Sequence, residues 1–352
     1  MIFCKNYKTE LKDFVLENKE LFTLLKNKSI LITGAAGLIA SYMIDLVITA
    51  NENLSTNCKV YAVDLDAQRL EKCFPAEYDE TVTRIALDVN ETEITVKSAD
   101  YVIHAASNTS PLDYALKPVD TMRTNVIGTD NLIRFALKCG AKRFLFCSSV
   151  EAYGRNNGDT DEFLEDYSGY VDCNTLRAGY PSAKRASEAL CNAYMSQCEN
   201  FDFVTGRIGR IYGPTVIEGD AKAPSQFINN AVNGENIVMK SDGMQEYSYG
   251  YVGDCAVALF FIMLKGGRGE AYNIADQNSK IRLRDFAEFS AKAGGTQVVY
   301  EAPTDIEKMG YSKITKATMN VDKLLSLGFV SKYPVEEGIK RTVDYIKEMR
   351  GR

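Results

Sequence analysis

Apolar residues recur along this chain in two alternating rhythms. Short, solidly apolar or β-branched runs fall at residues 29–33 (SILIT), 59–63 (KVYAV), 83–89 (TRIALDV), 100–106 (DYVIHAA), 143–149 (RFLFCSS) and 201–208 (FDFVTGRI). Between several of them lie longer stretches whose apolar positions follow helical spacing: 38–49, about 124–138, and 178–197. Another such stretch, 9–26, precedes the first strand and reads as a surface helix. Strands that alternate with helices of this length imply a parallel sheet covered on both faces. After Gly213 the rhythm breaks into shorter, mixed pieces punctuated by glycine and proline, as in GPTVIEGDAKAP and KGGRGE. The pattern therefore predicts an α/β chain: a doubly wound parallel sheet over residues 1–208, then a smaller mixed α/β domain over 209–352. Some elements of the second part are expected to pack back on the first.

Composition narrows the function classes. A net charge of −6 offers no basic face for nucleic acid. The N-terminus carries charges throughout, unlike a signal peptide, and no apolar run is long enough to cross a bilayer. The expectations are no nucleic acid, no membrane, and a cytoplasmic location. Nine cysteines are scattered without a CxxC pair, which suggests reduced core thiols rather than a zinc or dithiol site. His104 is the single histidine, so a histidine-based triad and a multi-histidine metal site are both excluded. No metal is expected, and His104 itself fits packing better than chemistry.

The candidate chemistry lies at the strand ends. TGAAGLIA sets Gly34 and Gly37 between a buried strand and a helix whose first residues are Leu38 and Ile39, with Ala40 at the third small position. Glycine permits a tight turn and lets backbone approach a pyrophosphate at the helix N-terminus. Asp64 ends the second strand, where a carboxylate accepts both ribose hydroxyls of an adenosine and repels a 2′-phosphate, so NAD is favoured over NADP. A helix cap is the alternative role for Asp64. Asp88 and Val89 end the third strand near an adenine edge, and Ala105, Ala106 and Ser107 end the fourth with small residues along the cofactor's path. Tyr180 and Lys184 stand at i and i+4 in YPSAK and share a helix face. A free tyrosine, with a pKa near ~10, is useless as a base at neutral pH. A nearby ammonium stabilises the phenolate and lowers that value.

With these pieces in place, the chain resembles an extended short-chain dehydrogenase/reductase of the NAD-dependent epimerase/dehydratase family. The matching segments, TGAAGLIA, AVDLD, LDV, HAAS, NVIGTDNL, SSVEAYG, YPSAK, RIYGPT and EAYNIAD, run from residue 33 to residue 276. The resemblance implies a Rossmann-type first domain, bound NAD, a second domain for a nucleotide-sugar, and often a homodimer through helices near Val126 and Ala189. It implies that Ser149 hydrogen-bonds the sugar hydroxyl being oxidised while Tyr180 removes its proton. It also puts Asn125 beside the cofactor and Asn108, Thr109, Arg177 and Arg185 beside the substrate. Glu151 matches the glutamate of the DEVYG and SEVYG motifs of nucleotide-sugar 4,6-dehydratases and UDP-glucuronate decarboxylases. There a carboxylate beside C5 of a 4-keto sugar can move the acidified proton; a surface or capping glutamate is the alternative.

Three departures from the family pattern stand out. Val150 replaces the aspartate that serves dehydratases as general acid. Arg210 stands where relatives carry an asparagine, and Tyr247 where they carry a diphosphate-binding arginine. Arg210 either supplies the displaced positive charge or pairs with a local acid such as Glu218 or Asp220. The leading expectation is oxidation at C4 of a nucleotide-sugar, followed by dehydration, decarboxylation or epimerisation. A net dehydrogenase or reductase of a nucleotide-linked sugar or alditol is the first alternative, and a non-catalytic NAD-binding module the second.

Overall fold

The structure is a computed structural model that describes residues 4–91, 94–108, 116–216, 219–220, 222–303 and 315–351. Among the described residues the α-helices of five residues or more are α1 (Lys5–Glu17), α2 (Lys19–Thr23), α3 (Leu38–Leu54), α4 (Ala67–Cys73), α5 (Pro118–Cys139), α6 (Gly179–Gln197), α7 (Ala223–Asn233), α8 (Val252–Lys265), α9 (Leu283–Gly294) and α10 (Val335–Met349). The strands are β1 (Ser29–Thr33), β2 (Lys59–Asp64), β3 (Val82–Ala86), β4 (Tyr101–His104), β5 (Arg143–Ser149), β6 (Phe203–Ile208), β7 (Arg210–Tyr212), β8 (Ile237–Met239), β9 (Glu246–Tyr251), β10 (Ala271–Ile274), β11 (Lys280–Arg282), β12 (Val298–Tyr300) and β13 (Lys316–Ala317).

Seven strands form one sheet in the order β3-β2-β1-β4-β5-β6-β10, and every neighbouring pair is parallel. This is the doubly wound, Rossmann-like α/β fold. The order reverses between β1 and β4, and the crevice outside the strands' C-terminal ends at that point is where such sheets bind ligands. The strands are apolar on both faces because helices cover both: Ile30, Leu31 and Ile32 of β1 and Phe144, Leu145 and Phe146 of β5 are all inaccessible. A smaller sheet joins β7, β9, β11 and β13, and β8 pairs with β12. The chain beyond residue 209 also contributes to the large sheet. Strand β10 pairs with β6, and α8, buried from Val252 to Met263, packs on α3 and β6.

The helical pattern before β1 is not one surface helix. It breaks at Asn18, whose backbone and side-chain N–H groups both turn back to the Phe14 carbonyl, at 3.2 and 2.9 Å. Tyr7, Leu11, Phe14 and Val15 of α1 are buried against α3 and α8. The same face carries Glu10, whose carboxylate accepts hydroxyl protons from Tyr42 (2.8 Å), Tyr251 (2.5 Å) and Tyr345 (2.9 Å). These donors come from α3, β9 and α10, so one buried acid ties the terminal helices to both lobes. The periodicity was readable; the carboxylate's inward direction was not, because a charged residue on a helix usually faces water.

Beside it, Asp45 on α3 is 3% exposed and accepts one hydrogen bond, from Tyr7 Oη at 2.8 Å. Burial pushes its carboxyl up to about 8. A folded-state value above the unfolded one means that Asp45 favours folding most below pH ~4, and that this contribution is lost as pH rises toward 8. Asp45→Asn, which keeps an acceptor for Tyr7 but cannot ionise, should therefore stabilise the protein at pH 8 by ~2–4 kcal/mol. The gain should shrink to nearly nothing at pH 4. Denaturant unfolding of both proteins across that range checks this; a gain independent of pH would mean that Asp45 ionisation is not its source.

Candidate functional site

The loop after β1 is built to hold an anion. Gly34 has φ +67°, and a Cβ there would lie 2.8 Å from Ala106 Cα and 2.9 Å from the Ala105 carbonyl. Only glycine allows both that backbone and that approach between the ends of β1 and β4. The Gly37 N–H returns to the Gly34 carbonyl at 2.9 Å, and Gly37 is the N-cap of α3 with no side-chain cap. The amides of the first turn, at the half-buried Leu38 and Ile39, form the positive end of α3.

Asp64 closes β2 beside this loop. Its Oδ2 accepts the Ala36 N–H at 3.0 Å and its Oδ1 the Asp66 N–H at 3.2 Å. The N-cap of α4 is Asp66, which accepts the Arg69 N–H, so Asp64 is not the helix cap. Arg69 grips the same loop from outside, donating to the Ala36 carbonyl at 2.6 Å. Beyond β3, Asp88 accepts the Asn90 N–H at 2.8 Å. The Val89 carbonyl is held by Asn131 at 2.8 Å. Ala106 donates its N–H to Thr33 Oγ1 at 3.2 Å. That hydroxyl also bonds the buried His104 Nδ1 at 2.9 Å, and burial lowers the imidazole to about 3, leaving it neutral. Asn125 donates to Ser107 Oγ at 3.1 Å and to the Thr121 carbonyl at 2.7 Å. Its Oδ1 is buried without a hydrogen-bond partner in the described structure, as is Asn90 Oδ1. Two orphaned acceptors, a glycine cradle and a carboxylate at the end of β2 fit a dinucleotide such as NAD.

Across the crevice, Ser149 ends β5 and caps the short turn that follows, accepting the Glu151 N–H at 3.2 Å. Lys184 reaches back from α6 to the Cys147 carbonyl at 2.7 Å, pinning that helix two residues short of Ser149. Its Nζ lies 5.7 Å from the centre of the Tyr180 ring, and both residues are buried. Burial brings the lysine down to about 8. Arg177 pairs with Glu151 at 3.4 Å. Asn108 accepts a long bond from Ser107 on its carbonyl, at 3.3 Å, and Thr109 lies outside the described residues.

Arg185, expected to face substrate, instead directs its guanidinium to the carbonyls of Ala152 (2.5 Å), Tyr153 (2.8 Å) and Gly169 (2.7 Å). Those carbonyls need donors once the loop is folded over α6, so Arg185 holds the segment carrying Glu151. Arg210 opens β7, and its guanidinium stacks 3.8 Å from the centre of the Tyr247 ring. Its Nε is buried without a hydrogen-bond partner in the described structure. Asp220 is engaged by Ser225 at 2.9 Å and by Lys222 at 3.8 Å; Glu218 lies outside the described residues. Lys222, just before α7, is a cation that sequence reading passed over. Burial lowers its proton affinity, while Asp220 and Glu151 oppose that effect. Arg210 also disfavours its charged form, so Lys222 lies between Arg210 and the segment that carries Glu151. The signal was faint: a lysine in a glycine- and proline-broken loop, GDAKAP, resembles any solvated turn. Thr215 was also missed, and its hydroxyl donates to the Leu38 carbonyl at 2.7 Å, joining the second lobe to the first turn of α3.

Among the described residues no cluster of three or more His, Cys, Asp or Glu side chains could hold a metal ion. No described helix is long and apolar enough to cross a membrane. All nine cysteines are free thiols.

Comparison with known proteins agrees with this geometry. Residues 30–275 match the NAD dependent epimerase/dehydratase family. UDP-glucuronic acid decarboxylase 1 of Xenopus tropicalis is 29% identical over 91% of this chain and 72% of its own length. UDP-glucuronic acid decarboxylase 6 of Arabidopsis thaliana is 32% identical over 70% of this chain and 69% of its own. The dTDP-D-glucose 4,6-dehydratase of Mus musculus is 26% identical over 91% and 89%. Among solved structures, a UDP-glucose 4-epimerase of Thermotoga maritima with UDP-glucose superposes with a TM-score of 0.76 at 23% identity, covering 92% of this chain and 99% of that one. A dTDP-glucose 4,6-dehydratase of Streptomyces venezuelae with NAD bound also gives a TM-score of 0.76, at 20% identity, covering 92% and 98%.

Proposed function

The chain belongs to the NAD-dependent epimerase/dehydratase family, and on that premise we propose that it oxidises C4 of a nucleotide-linked hexuronate, releases carbon dioxide, and reduces the ketone again. The observation that carries the oxidation is the buried Tyr180–Lys184 pair, whose helix is fastened to β5 beside Ser149. Ser149 orients the C4 hydroxyl. Tyr180 takes its proton, with the Lys184 ammonium favouring the phenolate. Residues Gly34, Gly37, Leu38, Ile39, Asp64, Asp88, Val89, Ala105, Ala106, Ser107 and Asn125 would hold NAD, which supplies the hydride acceptor for oxidation and returns the hydride at the end. A 4-ketone acidifies C5 and lets the C5–carboxylate bond break with its electron pair spread onto the ketone oxygen. C5 then needs a proton, and Glu151 would deliver it.

Decarboxylation is favoured over dehydration by two residues. Val150 is buried and apolar, so it offers no acid for a departing 6-hydroxyl. Arg177, held beside Glu151, offers a cation to a C6 carboxylate. The curated relatives named as UDP-glucuronic acid decarboxylases support the same choice.

The test is Glu151→Gln. It should slow product formation at least ~100-fold, the range for loss of a proton-transfer group, while single-turnover reduction of NAD stays within ~3-fold of wild type. Equal losses in the two steps would place Glu151 in binding or structure.

A further inference from the structure

Behind the Tyr180–Lys184 pair lies a buried polar network that the reaction outlined above does not use. Glu188 follows Lys184 by one helical turn on α6. Its Oε1 accepts the Ser148 hydroxyl at 2.5 Å. The Arg207 guanidinium, from β6, covers both carboxylate oxygens, with Nε at 3.2 Å from each and Nη2 at 2.7 Å from Oε2. Arg207 is itself fixed, donating to the Glu165 carbonyl at 2.6 Å and lying 4.7 Å from the centre of the Tyr153 ring. The two charged side chains are only 13% and 16% exposed. A glutamate at this helix position could swing into water; two partners, one on each of two strands, keep it turned toward the sheet.

We propose that Glu188 is a positioning residue that holds the Lys184 ammonium in its charged form, with Ser148 and Arg207 fixing the carboxylate in place. The proposal rests on the catalytic reading of Tyr180 and Lys184. The groups facing Lys184 can be named element by element. From β5 come the Cys147 carbonyl, which accepts its proton, the Cys147 thiol and the Phe146 ring at 4.9 Å. From β4 comes His104, neutral and itself disfavoured as a cation by this lysine. From α6 come Tyr180 and Glu188. Burial works against the ammonium; a Cys147 thiolate would oppose that most, but burial pushes this thiol up to about 12 and keeps it uncharged at neutral pH, which leaves the Glu188 carboxylate to oppose desolvation. Arg207 pairs with that carboxylate and weakens its field. The same bonds hold Ser148, so they also steady the end of β5 from which Ser149 projects.

The experiment reads Lys184 directly, on protein labelled with carbon-13 at the lysine ε-carbon. Its signal is identified by its loss in Lys184→Met, and the chemical shift is followed against pH. In Glu188→Gln the Lys184 midpoint should fall by about one unit, and the alkaline limb of the turnover rate should move down with it. Glu188→Asp should restore most of both. Because Glu188→Gln leaves Arg207 as an unpaired buried cation, the neutral pair Glu188→Gln/Arg207→Gln is measured too, and its midpoint should also lie below wild type, by less. An unchanged Lys184 midpoint in both variants overturns the proposal, as does a rate loss of equal size at every pH, which is what a purely structural pair would give. The titration does not depend on turnover. Normal activity in Tyr180→Phe would therefore refute the catalytic reading while leaving the Lys184 midpoint to decide this one.

Discussion

Tyr180→Phe should lose at least ~100-fold, and up to ~10,000-fold, in turnover, the range expected for removing a general base. It should still bind NAD and keep wild-type stability. The substitution deletes one hydroxyl from a 6% exposed ring and leaves the ring's packing in place. The cofactor cradle at Gly34 and Gly37 lies at the other side of the sheet's switch point. The Lys184 ammonium remains bonded to the Cys147 carbonyl, but it has no phenolate to stabilise. Rate measurements should therefore show a loss in the oxidation half-reaction itself, visible as absent reduction of NAD in a single turnover. Activity within ~10-fold of wild type, a barrier change below ~1.4 kcal/mol, would show that another group takes the proton.

Arg210→Ala should weaken binding of the nucleotide-sugar, or of its nucleoside diphosphate, by ~2–4 kcal/mol, as when one partner of a buried charged contact is removed. NAD affinity should stay nearly unchanged. A diphosphate cannot enter a partly buried cleft without donors, and where the family resemblance implies an arginine this chain has the buried Tyr247. Arg210 stacks on that ring, which fixes the guanidinium plane and leaves its edge for bidentate contact. The unpartnered, buried Nε is a donor that a bound phosphate oxygen would satisfy. Asp220, one of the two local acids that could neutralise it, is engaged by Lys222 and Ser225; Glu218 lies outside the described residues. Calorimetric titration with UDP, dTDP and CDP reads the effect. Unaltered affinity would mean that the diphosphate is held elsewhere.

The parallel sheet was legible because buried strands and their helices leave opposite periodicities in the chain. Residues 29–33 and 143–149 were bounded to the residue. The third and fourth strands were drawn too long: Leu87 and Val89 are apolar because they pack into the core, and Ala105 and Ala106 follow the last paired residue of β4. The seventh strand, AYNI at β10, was not separated from the broken pattern around it. A four-residue edge strand leaves too short a run to register, and its place beside β6 depends on contacts far away in sequence. Within the candidate site, Gly34, Asp64, Tyr180 and Lys184 could be picked out because each sits at a strand end or shares a helix turn with its partner, and Ser149 through the family resemblance. The family resemblance put Arg185 beside the substrate, yet loop carbonyls hold its guanidinium. Glu188, Arg207 and Lys222 were invisible for another reason. Their meaning lies in partners from other strands and loops, and spacing along the chain carries no trace of that.

The measurement that bears most directly on the central claim is mass spectrometry of a nucleotide-sugar panel incubated with the NAD-loaded protein, with the reduced cofactor followed optically in the same reaction. A nucleotide-linked hexuronate should be consumed to a product lacking one carbon dioxide, with no reduced NAD accumulating in the steady state. Reduced NAD building up mole for mole with product would show a net dehydrogenase, and no conversion of any nucleotide-sugar would contradict the account altogether.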